Sequence, residues 1–351
     1  MRQALTYDDI QLVPSYSDVE SRRLISLETN ITRNYKIYSP LVAAPMDTVC
    51  EYDMAYALFL QGGVGCIHRF MSIEDQVQQV QELKNSVSTM HKYWNDDYTE
   101  WKKDPSRVPV MAAVGANGDY YERAVALIEA GANIILIDVA HGHHKNVKDA
   151  LYQIKAIDRK VDVIAGNIAT REAAIDLQEW GADALRVGIG GGSLCTTRIK
   201  TGFGVPNVTC LQDIIEISKV PVIADGGIRS SGDIAKALAL GASSVMIGSI
   251  IAGTSQSPGQ VQTKPTGLYK VYRGAASLET KMAHGQQRRN VEGESALIPY
   301  KGNAMIVIED LLDGVRSALS YCGANCLLRF NPDVIQITAA GAAEARPHLI
   351  R

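Results

Sequence analysis

Eight short apolar runs, each ending near a glycine or a polar residue, recur along this chain of 351 residues. Each run is followed by a segment with helical periodicity, such as Arg171–Trp180 or Ser231–Leu240. Short buried strands that alternate with amphipathic helices predict parallel βα units, and eight such units predict an α/β fold of the closed (β/α)8 barrel type. The runs lie at Leu41–Ala44, Val64–Ile67, Val110–Val114, Ile134–Ile137, Val161–Ala165, Ala184–Val187, Val220–Ala224 and Ser244–Ile247.

Two further patterns bear on this prediction. Gly-Ala pairs follow three of the predicted helices, which indicates left-handed helix ends that lead into the next strand; they begin at Gly131, Gly181 and Gly241. A doubly wound open sheet is the structural alternative. That fold would need a dinucleotide-binding glycine fingerprint early in the chain, and the sequence has none there.

We expect one catalytic barrel domain over residues 1–351, because barrels of this length are commonly single domains. Asn85–Arg107 is polar and aromatic and is predicted to be a surface excursion between the second and third strands. Lys264–Gly302, called the flap below, follows the last strand and is rich in Gly, Gln, Arg and Glu. That composition is typical of a mobile flap over a barrel mouth or of a disordered loop. Residues 327–351 form a C-terminal tail of no evident role.

Composition excludes several classes of function. A net charge of −3 and an isoelectric point near 6.2 give no basic surface for nucleic acid or an acidic membrane. The N-terminus has no secretory pattern and no apolar run has transmembrane length, so we expect a cytoplasmic protein with no membrane contact. The six dispersed cysteines fit neither a disulfide framework nor a zinc site.

A glycine-rich loop carrying one cysteine, Gly190–Arg198, follows the sixth predicted strand. Three consecutive glycines allow positive φ angles, so N–H groups can converge on an anion or carbonyls on a cation. In that setting Cys195 suits a nucleophilic thiolate; the alternative is a buried, inert thiol. A threonine alone is a poor base, so we expect Thr197 to manage protons together with Glu292 of the flap.

The loops after the seventh and eighth predicted strands suit a phosphate group, because barrels often bind phosphate there with backbone N–H groups. They read Asp225–Gly227 and Gly248–Ser249, with Ser193 as a further donor. Asp225 suits a ribose diol, and the alternative is that these glycines serve only tight turns. His141–His144 lacks a carboxylate cluster, so we favour a loop beside a nucleotide over a metal site.

Taken together, these motifs resemble the IMP dehydrogenase/GMP reductase family over about residues 4–326. The motifs are Asp8-Asp9-Ile10-x-Leu-Val-Pro14, Met46–Val49, Asp138-x-Ala140-His141-Gly142, Gly190–Arg198, Asp225–Gly227 and Met246–Ser249. The resemblance implies a (β/α)8 barrel in which Cys195 forms a covalent thioimidate with carbon 2 of a purine nucleoside monophosphate. It also implies a nicotinamide cofactor and a homotetramer.

The resemblance also implies roles for individual residues. Catalysis would use Cys195, Thr197 and Glu292. The nucleotide would be bound by Met46, Ser193, Asp225, Gly226, Gly227, Gly248, Ser249, Tyr272, Gly274, Ala275, Ala276, Arg289 and Gly293. The cofactor would be bound by Ser21, Arg22, Arg69, Asp138, Val139, Ala140 and Asn167. A monovalent cation, potassium, would take carbonyls from Gly190, Gly192 and Cys195; Gly191 departs from the family's usual proline.

The flap favours the reductase branch of the family. The path from Gly274 to Glu292 is short and lacks the Arg-Tyr pair with which dehydrogenases activate water. Ser21-Arg22 resembles the reductase pair that meets the 2′-phosphate of NADPH, which a guanidinium fork suits. Tyr272-Arg273-Gly274 and Ser249–Thr254 instead resemble dehydrogenases. We expect a GMP reductase that uses NADPH. An IMP dehydrogenase without inserted regulatory domains is the alternative, and a non-catalytic purine nucleotide sensor is the second.

Overall fold

The computed structural model of the protein describes residues 1–89, 109–283 and 291–344. Eight parallel strands close into one barrel, in which each strand pairs with the next along the chain and the eighth pairs with the first. Each overlaps one predicted apolar run, so the (β/α)8 prediction is confirmed. The strands are β1 Leu41–Ala43, β2 Val64–Ile67, β3 Met111–Val114, β4 Ile134–Asp138, β5 Asp162–Ile168, β6 Ala184–Val187, β7 Val222–Asp225 and β8 Ser244–Ile247.

Helices surround the barrel and begin and end on the residue types that favour helix termini. Thr170 and Ser230 cap two of them, each hydroxyl accepting a backbone N–H at 3.2 Å. Gly131, Gly181 and Gly241 have φ angles of +102°, +101° and +103°, as their Gly-Ala positions predict. The helices around the barrel are α1 Tyr52–Leu60, α2 Ile73–Thr89, α3 Tyr120–Glu129, α4 Lys145–Ile157, α5 Arg171–Glu179, α6 Thr197–Thr201, α7 Asn207–Ile215 and α8 Ser231–Ala239.

The core has two layers, because alternate residues of each strand face opposite sides of the barrel wall. Val42, Met111 and Ile223 belong to the inner layer, whereas Leu41 and Ala43 pack toward the helices. A short hairpin, Thr29–Asn30 with Lys36–Ile37, adds Ile31 and Ile37 to the inner layer. The interior is therefore filled by side chains, and ligands are expected at the carboxyl ends of the strands.

The flap has an outgoing arm, residues 264–283, and a returning arm, residues 291–302, and both are ordered. They form an antiparallel sheet, the flap sheet, of β9 Gln262–Lys264, β10 Gly267–Arg273 and β11 Ser295–Pro299. Helix α9, Leu278–Ala283, continues the first arm, and α10, Ala304–Ser320, follows the second. The alternative of a disordered loop is therefore wrong for these arms. Residues 284–290, which include the predicted nucleotide contact Arg289, lie outside the described residues.

Both chain ends pack on each other, which the sequence did not indicate. Ile10–Leu12 pairs antiparallel with Val334–Gln336 of the tail, and α11, Ala339–Glu344, contacts the 3-10 turn Tyr7–Asp9. The other 3-10 turns are Arg22–Leu24 and Leu327–Arg329. The predicted excursion begins inside α2, and its residues 90–107 lie outside the described residues. No helix in the described part of the chain has both the length and the apolar character needed to cross a bilayer.

Candidate active site

A cavity of about 490 Å³ opens at the carboxyl ends of the strands, a size typical of small-molecule sites. The cysteine loop, the turn after β7 and the flap arms supply most of its wall. All the residues predicted to bind nucleotide line it except Arg289, and so do five of the seven predicted for the cofactor. The first set is Met46, Ser193, Asp225, Gly226, Gly227, Gly248, Ser249, Tyr272, Gly274, Ala275, Ala276 and Gly293; the second is Arg69, Asp138, Val139, Ala140 and Asn167.

Cys195, Thr197 and Glu292 form one hydrogen-bonded chain at this cavity. The Cys195 Sγ–H donates to Thr197 Oγ1 at 3.2 Å, and the Thr197 hydroxyl donates to Glu292 Oε2 at 2.7 Å. The thiol is partly accessible, whereas Cys50, Cys66 and Cys210 are buried. The structure thus brings together the nucleophile and the two proton-handling groups that the sequence predicts.

Backbone contacts hold Glu292 in this position independently of its carboxylate. The Thr196 N–H donates to the Glu292 carbonyl at 3.0 Å, and the Glu292 N–H donates to Ala276 O at 3.1 Å. One residue further along, the Glu294 N–H donates to Leu194 O at 3.1 Å. The returning arm of the flap is therefore fixed to the cysteine loop on one side and to the outgoing arm on the other.

The predicted phosphate region is built from hydroxyl groups and glycine turns. Ser193 Oγ lies 3.1 Å from Tyr272 Oη. Burial raises the pKa of Tyr272, so its phenol stays neutral and can donate or accept. Gly226 and Gly227 have φ angles of +92° and +76°, which side-chain-bearing residues rarely adopt. The glycines of this turn therefore serve the backbone conformation that lets the chain line the cavity.

Arg186 is a member of this site that our sequence reasoning missed. Its Nε donates to Asp225 Oδ2 at 3.0 Å, and its Nη1 pairs with Asp138. Asn167 Nδ2 also donates to Asp225 Oδ2, at 2.6 Å. Burial lowers the pKa of Arg186, but the carboxylates of Asp225 and Asp138 raise it by more, so it stays cationic. A charged residue inside the apolar run Ala184–Val187 was the signal that could have found it.

The predicted cofactor residues separate into two groups. Arg69 Nε lies 3.6 Å from Asp138 Oδ2, and its guanidinium lies over the Phe70 ring. Ser21 and Arg22 are not among the residues that line the cavity. Arg22 instead donates to two hydroxyls of the outer helix α10, those of Ser317 at 3.0 Å and Ser320 at 3.2 Å. Within one chain, the structure does not bring Ser21 and Arg22 to the other predicted residues.

The cysteine loop offers carbonyl oxygens of the type that bind potassium. The Gly192 carbonyl already accepts the Cys195 N–H at 3.1 Å and keeps a second lone pair. A Cβ at Gly191 would lie 2.6 Å from Asn207 Oδ1, so a larger residue there would require the Asn207 side chain to shift. The residues fit a monovalent cation, which remains a prediction.

Two side chains of the histidine run, His141–His144, make contacts with the neighbouring helices. His144 caps α4 by accepting the Asn146 N–H at 3.1 Å, and His143 Nε2 lies 2.8 Å from Asp176 Oδ2. Within the described ranges, no three His, Cys, Asp or Glu side chains cluster as a metal site.

A family model for the IMP dehydrogenase/GMP reductase domain matches residues 4–348. The chain belongs to this family. It is 40% identical to the inosine-5′-monophosphate dehydrogenase of Cryptosporidium parvum, over 99% of this chain and 95% of that protein. It is 35% identical to the Nitrosopumilus maritimus (strain SCM1) enzyme of the same name, over 99% of this chain and 98% of that one.

A solved structure from the reductase branch is also similar. It is a cysteine-to-alanine variant of GMP reductase from Trypanosoma brucei in complex with guanosine 5′-monophosphate, with a TM-score of 0.90 and 29% identity over 99% of this chain and 98% of that one. The family is one of oxidoreductases of purine metabolism, and it uses nicotinamide cofactors. Both of its branches are represented among the relatives, so similarity alone does not choose between them.

Proposed function

We propose that this protein is an NADPH-dependent GMP reductase, which converts GMP to IMP and ammonia. The hydrogen-bonded chain from Cys195 through Thr197 to Glu292 is the observation that carries the proposal. An amino group leaves carbon 2 readily only if it receives a proton, and this chain ends in a carboxyl group that can take up the thiol proton and then deliver it. The flap has no tyrosine between Gly274 and Glu294, so it lacks the Arg-Tyr pair that would favour hydrolysis.

Activation of the thiol is the first step. Its proton moves from Sγ to Thr197 Oγ1 while the Thr197 hydroxyl proton moves to Glu292, which leaves a thiolate and a protonated carboxyl group. The thiolate then attacks carbon 2 of GMP: the S–C2 bond forms while the C2=N3 double bond opens and its electron pair moves to N3. Asp225 would hold the ribose during this step, and Ser193, Gly227, Gly248 and Ser249 would hold the phosphate group.

Departure of the amino group uses the same proton. Glu292, through Thr197, protonates the exocyclic nitrogen. The C2–N bond breaks as the electron pair on N3 restores the C2=N3 double bond, and ammonia departs, so that a thioimidate remains on Cys195. NADPH, when bound, supplies a hydride to carbon 2. The S–C2 bond then breaks, IMP is released, and the thiolate takes a proton from solvent. The wall formed by Arg69, Asp138, Val139, Ala140 and Asn167 would hold the cofactor.

Two further properties belong to the proposal. Carbonyls of Gly190, Gly192 and Cys195 would bind potassium and thereby fix the cysteine loop. The protein would act as a homotetramer, which light scattering of the purified protein measures.

IMP dehydrogenase is the second candidate, because the relatives at 40% and 35% identity carry that name. The same thiolate would attack IMP, carbon 2 would lose a hydride to NAD, and water would cleave the thioimidate to XMP. In that reaction Thr197 and Glu292 would have to activate water instead of protonating an amine.

A paired assay distinguishes the candidates. The protein is given GMP with NADPH, and separately IMP with NAD; absorbance follows the nicotinamide and chromatography identifies the purine. We expect oxidation of NADPH with one IMP and one ammonia per turnover. Formation of XMP from IMP, with GMP inert, would replace the reductase by the dehydrogenase. Inactivity in both assays while nucleotide still binds would favour a sensor.

A further inference from the structure

Lys301, at the end of the flap, contacts the backbone carbonyls of the turn that forms part of the predicted phosphate site. Its Nζ donates to the carbonyl oxygens of Ser249 at 2.6 Å and Ile250 at 3.0 Å. Part of the side chain is exposed, yet burial of the ammonium group lowers the pKa of Lys301. We propose that Lys301 is a positioning residue through which the phosphate group of the substrate sets the position of Glu292. This rests on the nucleotide site and the role of Glu292 proposed above.

The segment that Lys301 holds is a single helical turn. The Gly248 carbonyl accepts the N–H groups of Ile251 at 3.1 Å and Ala252 at 2.9 Å. The first N–H groups of such a turn have no partner inside it and form a favourable place for an anion. Gly248 and Ser249 line the cavity, and the ammonium of Lys301 lies at the carbonyls of Ser249 and Ile250, one residue further along the turn. Phosphate and Lys301 thus engage the two sides of one turn.

Backbone hydrogen bonds join the same two segments. The Lys301 N–H donates to Gly253 O at 2.8 Å, and the Ser255 N–H donates to Gly302 O at 2.7 Å. The end of the flap and the turn after β8 are therefore joined by backbone as well as side-chain hydrogen bonds.

A short, stiff path leads from Lys301 back to Glu292. Strand β11 lies between them, and all five of its residues are paired with β10, from Pro299 opposite Tyr269 to Ser295 opposite Arg273. Beyond the strand, the carbonyl of Glu292 is hydrogen-bonded to Thr196. A shift of the turn after β8 therefore reaches the carboxylate through a paired strand instead of a flexible loop.

The consequence is that the phosphate group contributes to the rate as well as to affinity. Binding energy from a part of the substrate that does not react can be used to orient catalytic groups, and removal of that part then lowers kcat. An anion at the turn attracts the ammonium of Lys301 and favours the position of β11 that holds Glu292 against Thr197. Tyr272, on β10, contacts Ser193 and gives the outgoing arm a link of its own to the site.

The test compares GMP with guanosine, which lacks the phosphate group, and adds phosphite dianion as a separate probe. In the wild type we expect phosphite to accelerate guanosine turnover by about tenfold or more. In Lys301→Met we expect kcat for GMP to fall about tenfold with KM changed less than threefold, and the phosphite effect to disappear. Turnover of guanosine alone should fall much less than turnover of GMP, and Lys301→Arg should restore most of the loss.

Lys264→Met is the matched control, because it removes an exposed ammonium from the same flap sheet, and the described residues include no hydrogen-bond partner for it. It should leave all constants unchanged. Equal losses with GMP and guanosine in Lys301→Met would mean a merely structural role, and a rise in KM alone would mean simple attraction of phosphate; either result overturns the proposal. If the wild type converts IMP and not GMP, the proposed function fails first, and IMP with inosine then test Lys301 in the same way.

Discussion

Two parts of the cavity are built in different ways. The half predicted to bind the nucleotide, called the nucleotide half, consists of the cysteine loop, the turns after β7 and β8, and the flap arms; its contacts are backbone groups and hydroxyls such as Ser193 and Tyr272. The half predicted to bind the cofactor, called the cofactor half, follows β2, β4 and β5 and depends on charge, with Arg69 and Asp138 as its ion pair. All described residues predicted for the nucleotide half lie in one cavity, whereas Ser21 and Arg22 lie apart from the cofactor half.

The difference shows how each half obtains its precision. Positions in the nucleotide half are set by backbone hydrogen bonds, which a single side-chain substitution does not remove. Positions in the cofactor half are set by paired charges, and Asp138 lies between two of them, Arg69 and Arg186, so loss of either cation weakens the set. Arg186 belongs to both, because it pairs with Asp225 on one side and Asp138 on the other. Substitution of the side chains proposed for catalysis, Cys195, Thr197 and Glu292, should therefore affect chemistry with little loss of stability.

The largest effect is expected from Cys195→Ala. Removal of the nucleophile should lower turnover by at least about a thousandfold, while GMP still binds because the surrounding loops are unchanged. Turnover and calorimetric binding measure the two quantities, and mass spectrometry of protein quenched during turnover should locate the purine adduct on Cys195. Cys326→Ser, at a partly exposed cysteine outside the cavity, is the control. Full activity of Cys195→Ala would disprove covalent catalysis by this residue.

Glu292→Gln should follow, with a loss of turnover of about a hundredfold or more, because the amide cannot carry the proton. The backbone bonds of Glu292 to Thr196 and Ala276 do not involve its carboxylate, so nucleotide binding and the unfolding temperature should stay close to wild type. Thr197→Val breaks the same path. The double variant should be no slower than the worse single variant, because both act on one proton transfer. Fully additive losses would contradict a shared relay.

The sequence predicted which of the described residues line the nucleotide half of the cavity because the signals are local; that these residues bind nucleotide stays a prediction. Glycines at positive φ, a cysteine after a strand and an acidic residue before Gly293 can each be recognised from a few neighbours. Contacts between distant segments gave no such signal. The pairing of Ile10–Leu12 with Val334–Gln336 depends on how the chain ends meet. Arg186 differed from its strand only as a charge inside an apolar run, and its partners Asp138 and Asp225 are evident only once the barrel places them beside it.

Arg186→Met should act on both halves and on stability. Removal of one partner from a buried ion pair costs about 3–5 kcal/mol, so we expect a clear fall in the free energy of unfolding. Affinity for GMP and for NADPH should weaken together, since Asp225 and Asp138 lose the same cation. Denaturant titration and separate binding isotherms measure these effects, and Arg186→Lys should recover part of each. A loss confined to one ligand would show that Arg186 serves one half only.

The smallest effect is expected from Arg22→Ala, which tests whether the cofactor half extends beyond the cavity of one chain. If Arg22 meets the 2′-phosphate of NADPH, KM for NADPH should rise by up to about tenfold, with KM for NADH and for GMP unchanged. Arg22 is held by Ser317 and Ser320 of α10, on the outer helix layer, so such an effect would require the cofactor of a second copy of the chain. Dilution to the monomer, followed by light scattering, should then raise KM for NADPH in the wild type as well. Equal KM values for NADPH in Arg22→Ala and wild type would show that the Ser21-Arg22 resemblance has no counterpart in function, and that the charges around Asp138 alone select the cofactor.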